Sequence, residues 1–342
     1  MRTRPPAGTT TARFSEVAFH RVPLACLAVA AAAGAVGGAA WSERLAAVPW
    51  LVSLGFVGLP HGAADCALSR RAWRGGPLAA RWLAYLAVMA AVAAGFVAAP
   101  LPSIAVFVAL SCWHFGSAHS RHADPASGGL GGGVAAAARG GIVLAVPLAA
   151  WPRETAAAAA DLIRLASPGL AGDLPTPQVV RTIGLVLAGL TGVAVAVEAA
   201  LSLGRPGGPR RLATLLVDLA VIAGLGLATD PLFSVGLYFL AWHAWRQMEP
   251  LAAALTGAVP GSWAELGRAL ARIHAAALPL LIPTWLAIGA AWWFQSPDHS
   301  ARDLAVLSIG CYLVVTPAHE LLNDLLPAAL AGPPASRISA AD

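Results

Sequence analysis

Four of the nine histidines lie inside long apolar runs, where an imidazole is both unusual and chemically useful. They are His61 in GLPHGAAD, His114 in SCWHFG, His243 in LYFLAWHAWRQM and His319 in TPAHE. Ionisable groups within apolar spans are rare and usually turn toward the bundle interior. Neutral imidazole binds iron, copper and zinc, so several at one level make a metal cage. Asp65 stands one helical turn after His61 and could accept that ring's second N–H. Glu320 and Asn323 adjoin His319, while Trp113, Phe115 and Trp242 flank His114 and His243 as candidate walls of a slot for a long apolar substrate. A lone membrane histidine is more often a packing hydrogen bonder, and it is their shared depth that argues for a common site. His119 and His122 fall at a span boundary, and His119 remains within reach; His20, His274 and His299 read as interface or loop residues. Asp218 and Glu198 lie within spans as candidate pore residues, with no partner visible in the sequence.

The elements that must position these rings are membrane helices. Only 11% of residues are charged and 58% are hydrophobic, which is too little polar surface to cover a water-soluble body. Ten apolar runs of helix length are expected, at 22–40, 45–69, 78–99, 102–119, 137–151, 181–203, 210–228, 231–249, 271–294 and 302–326. The fold class is therefore an all-α polytopic transmembrane bundle. Its single domain covers 16–331, between disordered ends at 1–15 and 332–342. The basic N-terminus with its apolar run reads as an uncleaved first helix, and 154–168 as a surface helix.

Every basic residue is arginine, and in alternate connections they divide 17 to five, which predicts both termini in the cytoplasm of a cell-membrane protein. The same distribution accounts for the net charge of +5 without a nucleic-acid partner. Cys26, Cys66, Cys112 and Cys311 are scattered through apolar sequence and read as free thiols. In the ten-span topology His61, His114, His243 and His319 sit on spans two, four, eight and ten, which run in the same direction. Each lies three to nine residues before the cytoplasmic end of its span, a depth of roughly 5–14 Å.

Spacing thins the alternatives. HELLN at 319–323 lacks the second histidine of a zinc-protease motif, and the close set His114, His119, His122 falls short of the histidine boxes of membrane di-iron enzymes. A bis-histidine haem site and a proton-coupled transporter stay open.

GLPHGAAD, WHFG, FLAWHAWRQM and TPAHE, in that order over residues 50–325, resemble the Brp/Blh family of β-carotene 15,15′-dioxygenases. The resemblance implies an integral-membrane, Fe(II)-dependent enzyme that cleaves the central double bond of β-carotene with O₂ to give two retinals. It implies iron held by His61, His114 and His243, with a fourth histidine one turn after the last. That fourth position is Gln247 here, which leaves Gln247 itself, His319 or a water to complete the set.

Overall fold

The computed structural model describes residues 7–64, 78–123, 129–166, 174–204 and 207–330. Among them the regular structure is entirely helical. Helix α1 (Ala7–Glu16) passes through a π-helical turn (Val17–Arg21) into α2 (Val22–Gly37). The short α3 (Ala40–Arg44) follows, then α4 (Val48–Val52), a π-helical turn (Ser53–Val57) and α5 (Gly58–Ala63). Next come α6 (Leu78–Ala98), α7 (Pro100–Ala123), α8 (Gly129–Ala150), α9 (Pro152–Ala166), α10 (Pro177–Leu203) and α11 (Gly208–Ala228). Helix α12 (Pro231–Leu237) runs through a third π-helical turn (Tyr238–Ala244) into α13 (Trp245–Thr256). Helices α14 (Trp263–Gln295) and α15 (Ala301–Leu330) complete the chain.

Seven of these helices are long and apolar enough to cross a membrane, and Val48–Ala63 and Leu83–Ala98 are shorter apolar helices. The helix entered at Pro231 is outside both groups; it carries Arg246 and Glu249. The chain is helical from Ala7 and continuous with α2 through the Val17–Arg21 turn. Of the run 45–69, residues 65–69 lie outside the described residues.

Polar caps set where elements start. The Asp230 carboxylate accepts from the backbone N–H of Leu232 at 2.9 Å and Phe233 at 3.1 Å, just ahead of Pro231 at the first helical position. Ser262 accepts from Glu265 N–H at 3.3 Å to begin α14. Helix α9 is amphipathic: Ala156, Ala160 and Ile163 turn inward at helical spacing, while Arg153, Glu154 and Arg164 stay exposed. Trp151 Nε1 donates to Gly226 O at 2.9 Å and Asp161 pairs with Arg302 at 3.3 Å, so α9 is tied to the bundle at its start and again at Asp161.

Helices α7 and α8 meet at glycines. A Cβ at Gly116 would sit 1.8 Å from Ala136 O, and one at Gly140 only 1.7 Å from Cys112 O. Two backbones approach this closely only where side chains are absent. Helix α10 presents Val179, Ile183, Val186, Leu190, Val193 and Val197 outward, an apolar stripe unlike a water-facing surface.

Candidate metal centre

The site begins with backbone irregularity. The Ser53–Val57 π turn stands directly before the segment that carries His61, and the Tyr238–Ala244 π turn contains His243. One extra residue per turn widens a helix and re-aims the side chains beyond it. Side chains hold the first turn in place: Trp285 Nε1 donates to Leu54 O at 3.0 Å, and Ser53 Oγ meets Tyr312 OH at 3.3 Å. Trp50 Nε1 donates to Leu232 O at 2.7 Å, joining α4 to the helix that leads to His243.

Four helical segments bring His61, His114, His243 and His319 together, each no more than 7% exposed. Ring centroids lie 4.5 Å apart for His114 and His243, 5.2 Å for His114 and His319, 5.3 Å for His61 and His319, and 5.6 Å for His61 and His243. Ligand nitrogens of His61, His114 and His319 all fall within 4.8 Å of one another, a spacing that one ion can bridge. His243 packs against this trio, with Phe239 stacked on it at 5.7 Å and Phe115 at 4.9 Å.

The donor set fits a divalent metal. His61 Nδ1 and His243 Nε2 are buried with no hydrogen-bond partner, a costly state for polar atoms that a metal would relieve. The Nδ1 of His114 is paired with the Glu320 carboxylate, which leaves its Nε2 as the ligand atom. Neutral nitrogen donors suit iron, copper or zinc over magnesium or calcium.

Glu320 is the residue whose role sequence reading missed. It adjoins His319 in the chain, but its partner is 206 residues away on α7. Gln247 is half-buried beside a small void with His243, Trp242, Phe115 and Tyr238, outside the trio of close ligand atoms. Asp65 lies outside the described residues.

An apolar cavity opens from the cluster. His61, His114, His319, Phe115, Phe239 and Tyr312 line one end, and Ile104, Ala158, Ala159, Leu162, Leu232 and Val306 line the other. Trp113 is 48% exposed and is not part of this lining. Trp242 is fully buried behind the cluster, against His119 at 5.2 Å and beneath Arg246 at 4.5 Å.

A second cavity, of about 730 Å³, is polar. There Asp218 meets His119 at 3.3 Å and His20 at 3.4 Å, and Glu198 pairs with Arg139. The buried carboxylates that lacked visible partners in sequence are thus paired across helices.

Fold and site together define an all-helical protein, with helices of membrane-crossing length and composition, that gathers four histidines at the end of an apolar cavity. The model of the β-carotene 15,15′-dioxygenase family matches residues 52–326, and the chain belongs to that family. It is 29% identical over 305 residues to a probable β-carotene 15,15′-dioxygenase Blh of Halobacterium salinarum, covering 84% of this chain and 86% of the relative. A probable β-carotene 15,15′-dioxygenase Brp from the same species is 31% identical over 240 residues, covering 67% of this chain and 65% of that protein. No solved structure matches the chain.

Proposed function

We propose that this protein is a membrane-embedded, Fe(II)-dependent dioxygenase that cleaves the central double bond of β-carotene, or a closely related carotenoid, to give retinal. The observation that carries this reading is the buried histidine cluster at the end of a cavity with an almost wholly hydrocarbon lining. The reaction balances without an added reductant. One C=C bond and the O–O bond break, two C=O bonds form, and each oxygen atom ends in one aldehyde.

His61, His114 and His319 would hold the iron, with His243 beside them as a fourth donor. Four neutral imidazoles leave the ion its full charge and have no proton to lose on binding. Bound Fe(II) supplies the ability to activate O₂ toward a polyene. The protein orients the substrate: Phe115, Phe239 and Tyr312 press on the chain beside the histidines, and the apolar walls keep water away. Glu320 fixes the tautomer and direction of His114. A haem is disfavoured because four rings converge on one point, leaving no open plane for a macrocycle.

The outward apolar stripes support residence in the cell membrane, where a carotenoid dissolves and can enter sideways between helices. The seven long helices, the two shorter ones and Pro231–Thr256 would make ten crossings with both termini in the cytoplasm. The partners are then the carotenoid, O₂ and the bilayer.

Expression in a β-carotene-producing bacterium tests the reading. Wild type should bleach the cells and form retinal, while His61→Ala, His114→Ala and His243→Ala should abolish it and Gln247→His should preserve or raise it. Unchanged carotene with the protein present in the membrane would overturn the assignment, and alanine variants that retain metal and turnover would overturn the site.

A further inference from the structure

The apolar cavity runs to one side of the histidines only, among the described residues, and its length along three helices is measurable. On α7 the lining passes from His114 back to Ile104, ten residues, or about 15 Å. On α15 it passes from His319 back to Val306, thirteen residues, or about 20 Å. On the helix that leads to His243 the lining passes from Phe239 back to Pro231, eight residues, or about 12 Å. Half of a dicyclic C40 carotenoid, from its central bond to the far edge of one ring, is on the order of 15 Å by ordinary carbon–carbon bond lengths. The cavity therefore matches one half of such a molecule, not the whole.

Helix α9 supplies much of the far end. Thr155, Ala158, Ala159 and Leu162 all line it, and the Leu162 side chain reaches to within 3.0 Å of where a Cβ on Gly310 of α15 would stand. This helix is tied to the bundle just before its first turn by the Trp151 bond to Gly226 and, further along, by the Asp161–Arg302 pair, so it can serve as a wall. The one hydroxyl it brings, on Thr155, already donates to Pro147 O at 3.4 Å. The far end is otherwise hydrocarbon and suits a ring without a hydroxyl group.

We propose that α9 acts as a ruler: it seats one unhydroxylated end ring, and the distance from that wall to the histidines selects the central bond for cleavage. Ala158 and Ala159 are the specificity-determining positions, because only a small side chain leaves room for the ring. The inference rests on the carotenoid-cleaving reading and adds to it where the bond choice is made.

Two measurements test it, with Ala157→Phe, on the exposed face of α9, as the control for disturbance of the helix. The first uses metal-free protein and retinol, which carries one ring and one half-length polyene, followed by its fluorescence. Ala159→Phe should weaken retinol binding at least tenfold and Ala157→Phe should leave it unchanged; equal binding by Ala159→Phe and wild type would overturn the ruler. The second reads the aldehydes formed from β-carotene. Ala159→Phe should push the polyene outward and yield an unequal pair, one aldehyde shorter than retinal and its longer complement. Retinal as the sole product, or no product from a folded and metal-loaded Ala159→Phe protein, would overturn the proposal. A wild-type protein that binds retinol at this wall but forms no aldehyde from any carotenoid would remove the catalytic reading, and the ruler with it.

Discussion

At the residue scale the centre depends on what stands behind each imidazole. Glu320 accepts from His114 Nδ1, so the opposite nitrogen keeps a lone pair for a metal. Both partners are buried, so water cannot substitute for the carboxylate at low cost. We expect Glu320→Gln to lower metal affinity roughly 10–100-fold, the usual penalty for losing such a partner. Retention of iron against a graded chelator would measure it, and affinity equal to wild type would show that Glu320 does not orient His114. The four site histidines were all visible in the sequence, because imidazoles stand out in an apolar run. Which of them have ligand atoms closest together was not visible, since His243 and His319 are equally placed by sequence. Trp113 shows the same limit. It adjoins His114 in the chain, yet helical rotation carries it to the outer surface.

At the scale of elements, the histidines are aligned by helix contacts that permit little change. The α7–α8 contact places His114, and Gly140 has no room for a methyl group: the nearest atoms to a Cβ are Cys112 O and Gly116 N, both backbone. Gly140→Ala must therefore force the two helices apart, which should cost about 1–3 kcal/mol. Gly189→Ala, on α10 with open space around it, should be neutral or stabilise by up to about 1 kcal/mol. Thermal unfolding midpoints in detergent would distinguish the two, and a Gly140→Ala midpoint at or above wild type would mean the contact is looser than drawn. The π turns at Ser53–Val57 and Tyr238–Ala244 belong to this scale as well. Apolar periodicity cannot reveal them, because a single wide turn leaves the run apolar throughout. They still decide the direction of the side chains that follow.

At the scale of the whole molecule, the arginine distribution and the depth of the histidines make one statement. A bias of 17 to five predicts that both ends lie in the cytoplasm, and with that orientation the cluster would sit near the same face. Phosphatase fusions, active only outside the cytoplasm, should be inactive at either terminus and active in the 296–300 connection between α14 and α15. Activity at one terminus alone would mean an odd number of crossings. The polar cavity lies where that orientation would put the cytoplasm, and its two buried carboxylates have partners, Glu198 in Arg139 and Asp218 in His119 and His20. Buried charges paired in this way are tolerable where isolated ones would not be.

By itself the sequence marks the family of the protein and picks out the histidines that form its candidate site. Hydrophobicity over twenty residues is a local property, as is an imidazole within it, and the order of GLPHGAAD, WHFG, FLAWHAWRQM and TPAHE is enough to mark the family. The tertiary structure alone decides which partners those residues meet. The Glu320–His114 pair spans 206 positions, and one wall of the cavity comes from α9, a helix whose run of alanines at 156–160 announces no role. Long-range pairing is set by how helices rotate and pack against one another. That depends on the shapes of all their faces at once, and no single stretch of the chain carries it.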